Sequence, residues 1–141
     1  MINIPTIPIG ESLTIQKKIT EEDTALNYGS GQLENLLATP SLVALMIEAS
    51  AKLLDAHLPE GYITVGQMAQ VIHEKPTVLG ETVSVKVEIT AFDGNKVQLA
   101  MHAFDEVGQI GLGNHVRAVV NKSALLSKAN ERETLLENRD F

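Results

Sequence analysis

Three residues of this chain, His73, Thr39 and Glu48, have the type and surroundings to do chemistry. His73 ends a run in which Ile63, Val65, Ala69 and Val71 share its parity, just before a polar turn. Burial at a core edge keeps an imidazole neutral near pH 7 and suits it to general-base work. The same placement equally suits a histidine that only holds a backbone carbonyl. Thr39 stands before Pro40 and reads as a helix N-cap, with proline at the first helical position, where a missing N–H costs nothing. A hydroxyl there lies beside unpaired amides that can polarise a carbonyl, so capping and catalysis are compatible. Glu48 is the candidate carboxylate, and equally a solvated partner for Lys52 four residues on.

A second group is weaker. His115 and Arg117 share one face of the last predicted strand with Gly111, Gly113 and Val119. Either that face is a solvent stripe, or it meets the polar end of a ligand, with Gly113 allowing close backbone approach. His57 and His102 have no supporting neighbours. Cysteine is absent, which removes disulfides, thiolate metal sites and a cysteine nucleophile. No histidine or carboxylate cluster has metal-ligand spacing, so neither a metal nor a cofactor is expected. Gly29-Ser30-Gly31 is too short for a phosphate loop and lacks its lysine. A nucleophile elbow and a dinucleotide fingerprint are both missing.

The elements that must position these groups follow from periodicity. Residues 11–19 alternate as a strand, and the glycines at 29 and 31 stop any helix begun at Thr20. From Ser41 to about Leu58, Leu42, Met46, Ala49 and Leu53 fall on one side of a helix, widened by Val43, Ile47, Ser50 and Leu54. Glu48, Lys52 and Asp55 share the opposite stripe. Strands are expected over 62–74, 82–90, 96–104 and 110–120, with a turn at Asp93-Gly94. Short connections imply antiparallel pairing. The result is an α+β chain in which a sheet curls around one long helix.

With 141 residues, the chain suits one domain, with a core over about 9–121 and an amphipathic helical tail over 122–141 that docks weakly or frays. Eleven Lys and Arg against 18 Asp and Glu give a net charge of -7, and Lys17-Lys18 is the lone adjacent basic pair, so nucleic acid is not an expected partner. No run is long and apolar enough to span a membrane, and Met1 to Ile9, with Pro5 and Pro8, lacks the basic start of a signal peptide. A cytoplasmic location is the expectation.

Four stretches in this order resemble a known family. They are Tyr28-Gly29-Ser30-Gly31; Ala38-Thr39-Pro40 with the following Leu-Val-Ala-Leu-Met; Gly66, His73 and Gly80 at seven-residue intervals; and Ile110 to Arg117. Together they resemble the fluoroacetyl-CoA thioesterase-like family of the hot-dog fold, over about Ile9 to Val120. The resemblance implies a curled five-stranded antiparallel sheet around the helix, and a homodimer with sites at its interface. It also implies cofactor-free hydrolysis of a small acyl-CoA, with Gly66, Gly113, His115 and Arg117 toward substrate. Thr39 and His73 fall on the family's threonine and histidine. The family's glutamate lies eight residues after the threonine, where this chain has Ile47, with Glu48 one step later. A π-bulge could bring Glu48 into place. Without it, the resemblance implies either a thioesterase lacking its carboxylate or a non-hydrolytic binder of acyl thioesters.

Overall fold

The computed structural model describes residues 6–33 and 35–138, so the opening Met1 to Pro5 of the signal-peptide question lies outside it. Five strands, β1 (Ser12–Lys18), β2 (Tyr62–His73), β3 (Thr82–Asp93), β4 (Lys96–Phe104) and β5 (Gln109–Asn121), form one sheet in the order β1-β3-β4-β5-β2. Every neighbouring pair is antiparallel. The short β2–β3 connection does not make a hairpin. It carries the chain across the sheet, and β2 and β3 pair with β5 and β4 instead.

The expected alternation is carried through in the middle of the sheet. Val83, Val85, Val87 and Ile89 of β3 and Val97, Leu99, Met101 and Ala103 of β4 are all buried against α1 (Thr39–Asp55). From the helix, Leu42, Met46, Ala49, Leu53 and Leu54 meet them. Each such side chain taken out of water contributes roughly 1.5–3 kcal/mol. Ser50, also fully buried, returns its hydroxyl to the Met46 carbonyl at 2.8 Å and so brings no unpaired donor into the core. The helix ends three residues before the expected Leu58, because His57 and Leu58 close tighter turns on Leu54 and Asp55.

Three local expectations change. In the β3–β4 turn Asp93 pairs with Lys96, so the loop is Gly94-Asn95, with Gly94 at φ 64°. In β2 the register shifts between Gly66 and Met68, an extra residue that reverses the inward parity. Thr64 and Gly66 therefore oppose Val119 and Arg117 on the inner face, together with Ala69, Val71 and His73 further along, while Ile63 and Val65 turn outward. The tail is the helix α2 (Lys122–Glu137), but none of its residues is buried. Leu126 and Leu135 are nine residues apart, about 180° round the helix, so no single apolar face forms.

Gly113 allows a close approach, though not to a ligand. A Cβ there would strike the Gln70 carbonyl oxygen of the neighbouring strand and crowd Val71 and Met101. Gly111 is in the same position, 2.8 Å from the Ile72 carbonyl for an added Cβ. Gly113→Ala must push β2 away from β5, and we expect it to lower stability by about 1–3 kcal/mol in denaturant unfolding. An unfolding midpoint equal to the parent's would contradict this packing.

Candidate active site

Thr39 is the first residue of α1 rather than its cap; Ala38 takes the cap position, and no side chain caps the helix. The Thr39 hydroxyl is free for another partner, and finds it in the last residue of β2. Thr39 Oγ1 lies 2.8 Å from His73 Nδ1. Thr39 is exposed and His73 half-buried, so the bond stands where helix start and strand end meet at the surface. Desolvation pulls the His73 pKa below the usual 6.5, with the nearby Lys75 backbone opposing it more weakly. The ring is thus neutral at pH 7, as a general base must be.

The amides expected to polarise a carbonyl after Thr39 are not available. Pro40 has none, and those of Ser41 and Leu42 both donate to the Ala38 carbonyl at 3.1 Å. The other nitrogen of the imidazole is unusual. Nε2 of His73 is buried and, among the described residues, has no hydrogen-bond partner. In a histidine that takes a proton at Nδ1, Nε2 carries the hydrogen, and a carboxylate at that point fixes the tautomer and stabilises the imidazolium.

Glu48 does not supply that carboxylate within this chain. Nine helical steps from Thr39 place it about 180° away. There it pairs with Lys52 at 3.5 Å and lines a separate groove with Ile15 and Lys17 on the β1 side. The helix runs without a π-bulge from Thr39 to Asp55, so the displaced register is not repaired. Ile47, eight steps on, lies about 80° from Thr39 and stays on its half of the helix.

The pair opens into a cavity of about 410 Å³. Its wall is largely aliphatic, from Ala25, Leu33, Leu36, Leu37 and Pro40, with Tyr28 and Gly29 at one side and Lys75 beside His73. Lys75 and the leucines escaped sequence reasoning. The leucines lie in a stretch with no periodicity, and Lys75 was legible only as the second residue after His73.

His115 and Arg117 form a separate buried cluster, 2% and 7% exposed, on the inner face rather than a solvent stripe. His115 donates from Nδ1 to the Met68 carbonyl at 2.7 Å and accepts at Nε2 from Arg117 Nη1 at 3.3 Å. Arg117 donates from Nε to Thr64 Oγ1 at 2.8 Å and from Nη2 to the Thr64 carbonyl at 2.9 Å. Burial lowers the His115 pKa, against the Met68 bond and with the Arg117 charge, so the ring stays neutral and can accept. Desolvation lowers Arg117 too, with Asp55 opposing. Their bonds bracket the β2 bulge from beneath, and Gly66 sits over them, 3.5 Å from each for an added Cβ. The geometry is that of a brace for β2. Among the described residues no three His, Asp or Glu side chains gather as a metal would need, and no helix is long and apolar enough to cross a membrane.

A family model described as fluoroacetyl-CoA-specific thioesterase matches residues 19–123. The fluoroacetyl-CoA thioesterase of Streptantibioticus cattleyicolor is 29% identical over 101 residues, 72% of this chain and 73% of that protein. Among solved structures, a hot-dog-like protein from Thermanaerovibrio acidaminovorans is 33% identical with a TM-score of 0.83, covering 89% of this chain and 92% of that one. A variant of the fluoroacetyl-CoA-specific thioesterase FlK, solved with fluoroacetate and CoA, is 25% identical with a TM-score of 0.75, covering 84% of this chain and 99% of that one. With that family model spanning most of the chain, and with the antiparallel sheet and the long helix, the chain belongs to the fluoroacetyl-CoA-specific thioesterase family of the hot-dog fold.

Proposed function

We propose that the chain hydrolyses a small acyl-CoA thioester by His73- and Thr39-assisted attack of water. The observation that carries this reading is the 2.8 Å bond between Thr39 Oγ1 and neutral His73 Nδ1 at the mouth of the aliphatic cavity. Water attacks the thioester carbonyl and gives its proton to Thr39 Oγ1 as the Thr39 proton passes to Nδ1. The tetrahedral intermediate then collapses, the C–S bond breaks, and the imidazolium returns a proton through Thr39 to the leaving CoA thiolate. Lys75 lines the same cavity beside His73 and brings a positive charge to it in a chain of net charge -7. A relative of this fold has been solved with CoA bound, which supports the same ligand class here.

Wild-type protein should release CoA from at least one member of an acyl-CoA panel, and His73→Ala should lower kcat/KM by 10²-fold or more, at the scale general-base catalysis contributes. Because the His73 pKa is lowered, the acid limb of the rate profile should lie below pH 6.5, with activity lost as pH falls through it. Turnover at background level, or unchanged by the substitution, contradicts the assignment.

The active unit is proposed to be a homodimer. β2 is an edge strand of 12 residues, and Tyr62 to Ile72 contains neither proline nor a charged side chain. Met68 is 43% and Ile72 59% exposed along it. Such an edge is a template for pairing with a second copy. Sedimentation should give twice the mass of the chain; the mass of one chain at micromolar concentration would overturn this.

The second reading, a non-hydrolytic binder of acyl thioesters, is favoured by Ile47 in the glutamate's place and by unpartnered Nε2. The two separate cleanly. Ile47→Glu should raise kcat at least tenfold if the carboxylate reaches the imidazole. A wild type that binds CoA esters by calorimetry without cleaving them selects the binder.

A further inference from the structure

Thr39 and His73 are 34 residues apart in the chain, and a helix start and a strand end do not by themselves meet at hydrogen-bond distance. What fixes them is a small three-stranded patch outside the main sheet. Its middle segment, 35–38, leads directly into Thr39. On one side Ala25 N–H donates to the Leu36 carbonyl and Ala38 N–H to the Asp23 carbonyl, each at 2.9 Å. On the other, Leu37 N–H donates to the Thr77 carbonyl at 2.9 Å and Leu79 N–H to the Asn35 carbonyl at 2.8 Å. Segment 77–79 begins four residues after His73, so both members of the pair hang from adjacent strands of one patch.

Leu79 packs against the core and Val78 N–H donates to the nearby Glu81 carboxylate, but among the described residues one side-chain hydrogen bond ties the outer strand to a distant part of the chain. Thr77, 0% exposed, donates its hydroxyl to Asp105 Oδ2 at 2.9 Å. Asp105 is itself immobilised. Its Oδ1 accepts from the Val107 and Gly108 amides at 2.8 and 3.1 Å, inside the turn joining β4 to β5. Burial pushes the Asp105 carboxyl up, but the bonds from Val107, Thr77 and Gly108 outweigh it and hold the pKa below the usual range. The anchor is therefore an acceptor-only carboxylate throughout neutral pH.

Resting on the reading of the Thr39–His73 pair as catalytic, we propose that Thr77 and Asp105 are its positioning residues, a strut from the β4–β5 turn that sets the Oγ1–Nδ1 distance. Neither touches substrate. Thr77 acts through its carbonyl on Leu37, two residues before Thr39, and through its place four residues beyond His73. Removing the hydroxyl frees the 77–79 segment from Asp105, so the pair separates by a fraction of an ångström, which is enough to weaken a hydrogen bond and proton transfer along it.

The test combines kinetics with ¹⁵N NMR of the His73 ring in the near-isosteric Thr77→Val, in Thr77→Ser and in Asp105→Asn. Thr77→Val should lower kcat about tenfold with KM within twofold. It should also move the His73 Nδ1 resonance toward that of a free imidazole. Thr77→Ser, which keeps the donor, should restore both. Asp105→Asn should lie between, because one amide oxygen cannot serve both Thr77 and the turn. If Thr77→Val is poorly folded, Asp105→Asn carries the same readout. A parental ring signature in Thr77→Val and Asp105→Asn overturns the strut, whatever the activity. Equal impairment of Thr77→Val and Thr77→Ser does so too, since it assigns Thr77 to packing alone. A ring signature that shifts while the wild type cleaves no acyl-CoA supports the strut and removes the thioesterase reading.

Discussion

The apolar side of α1 must be covered, and the chain has one sheet with which to cover it. Leu42, Met46, Ala49 and Leu53 need a curved wall of Val, Leu and Met at their height, and β3 and β4 supply it from consecutive inward positions. With so few aromatics, shape complementarity among aliphatic side chains must exclude water from this core. The sheet can satisfy the middle of the helix only by leaving the helix start beyond its edge, beside the end of β2. That geometry sets the helix start beside the strand end, and the patch of segments 23–25, 35–38 and 77–79 brings Thr39 and His73 to hydrogen-bond distance.

The same constraint explains why one residue of register matters so much. On a helix held by its buried face, a shift of one position is a rotation of about 100°, and the buried leucines prevent the helix from turning to compensate. Glu48 is therefore committed to the β1-side groove with Lys52. The imidazole keeps its hydroxyl partner on Nδ1 but meets no acceptor at Nε2. A histidine in that state is a base with an unfixed tautomer, weaker than one held by a carboxylate.

Much of the scaffold was legible in the sequence, for definite physical reasons. Val83 to Ile89 and Val97 to Ala103 alternate because one face of each strand is dry, and that pattern survives in any antiparallel sheet. What periodicity cannot carry is pairing order: β2 looks ready to pair with β3, and only the crossing of the chain sends it to β5. Nor could it show the bulge after Gly66, where one extra residue exchanges inward for outward positions. At the site, Thr39 and His73 were legible as residue types at a helix start and a strand end. The uses of Gly113, His115 and Arg117 were not, because close backbone approach and a polar face look alike whether the neighbour is a ligand or the chain itself. Gly113 faces the Gln70 carbonyl, and Arg117 is bonded to Thr64 and His115. The aliphatic wall of the cavity comes from a segment ordered only by its contacts with residues 23–25 and 77–79, a tertiary arrangement with no periodic signature.

Thioester chemistry at the junction of α1 and β2 is the central proposal for this chain. A crystal structure with a non-hydrolysable acyl-CoA thioether examines it directly. The carbonyl carbon of the analogue should sit about 3–3.5 Å from Thr39 Oγ1 or from a water bound to it, with the Thr39–His73 bond intact. An analogue lodged instead in the groove of Glu48 and Lys52, with Thr39 and His73 untouched, would contradict it.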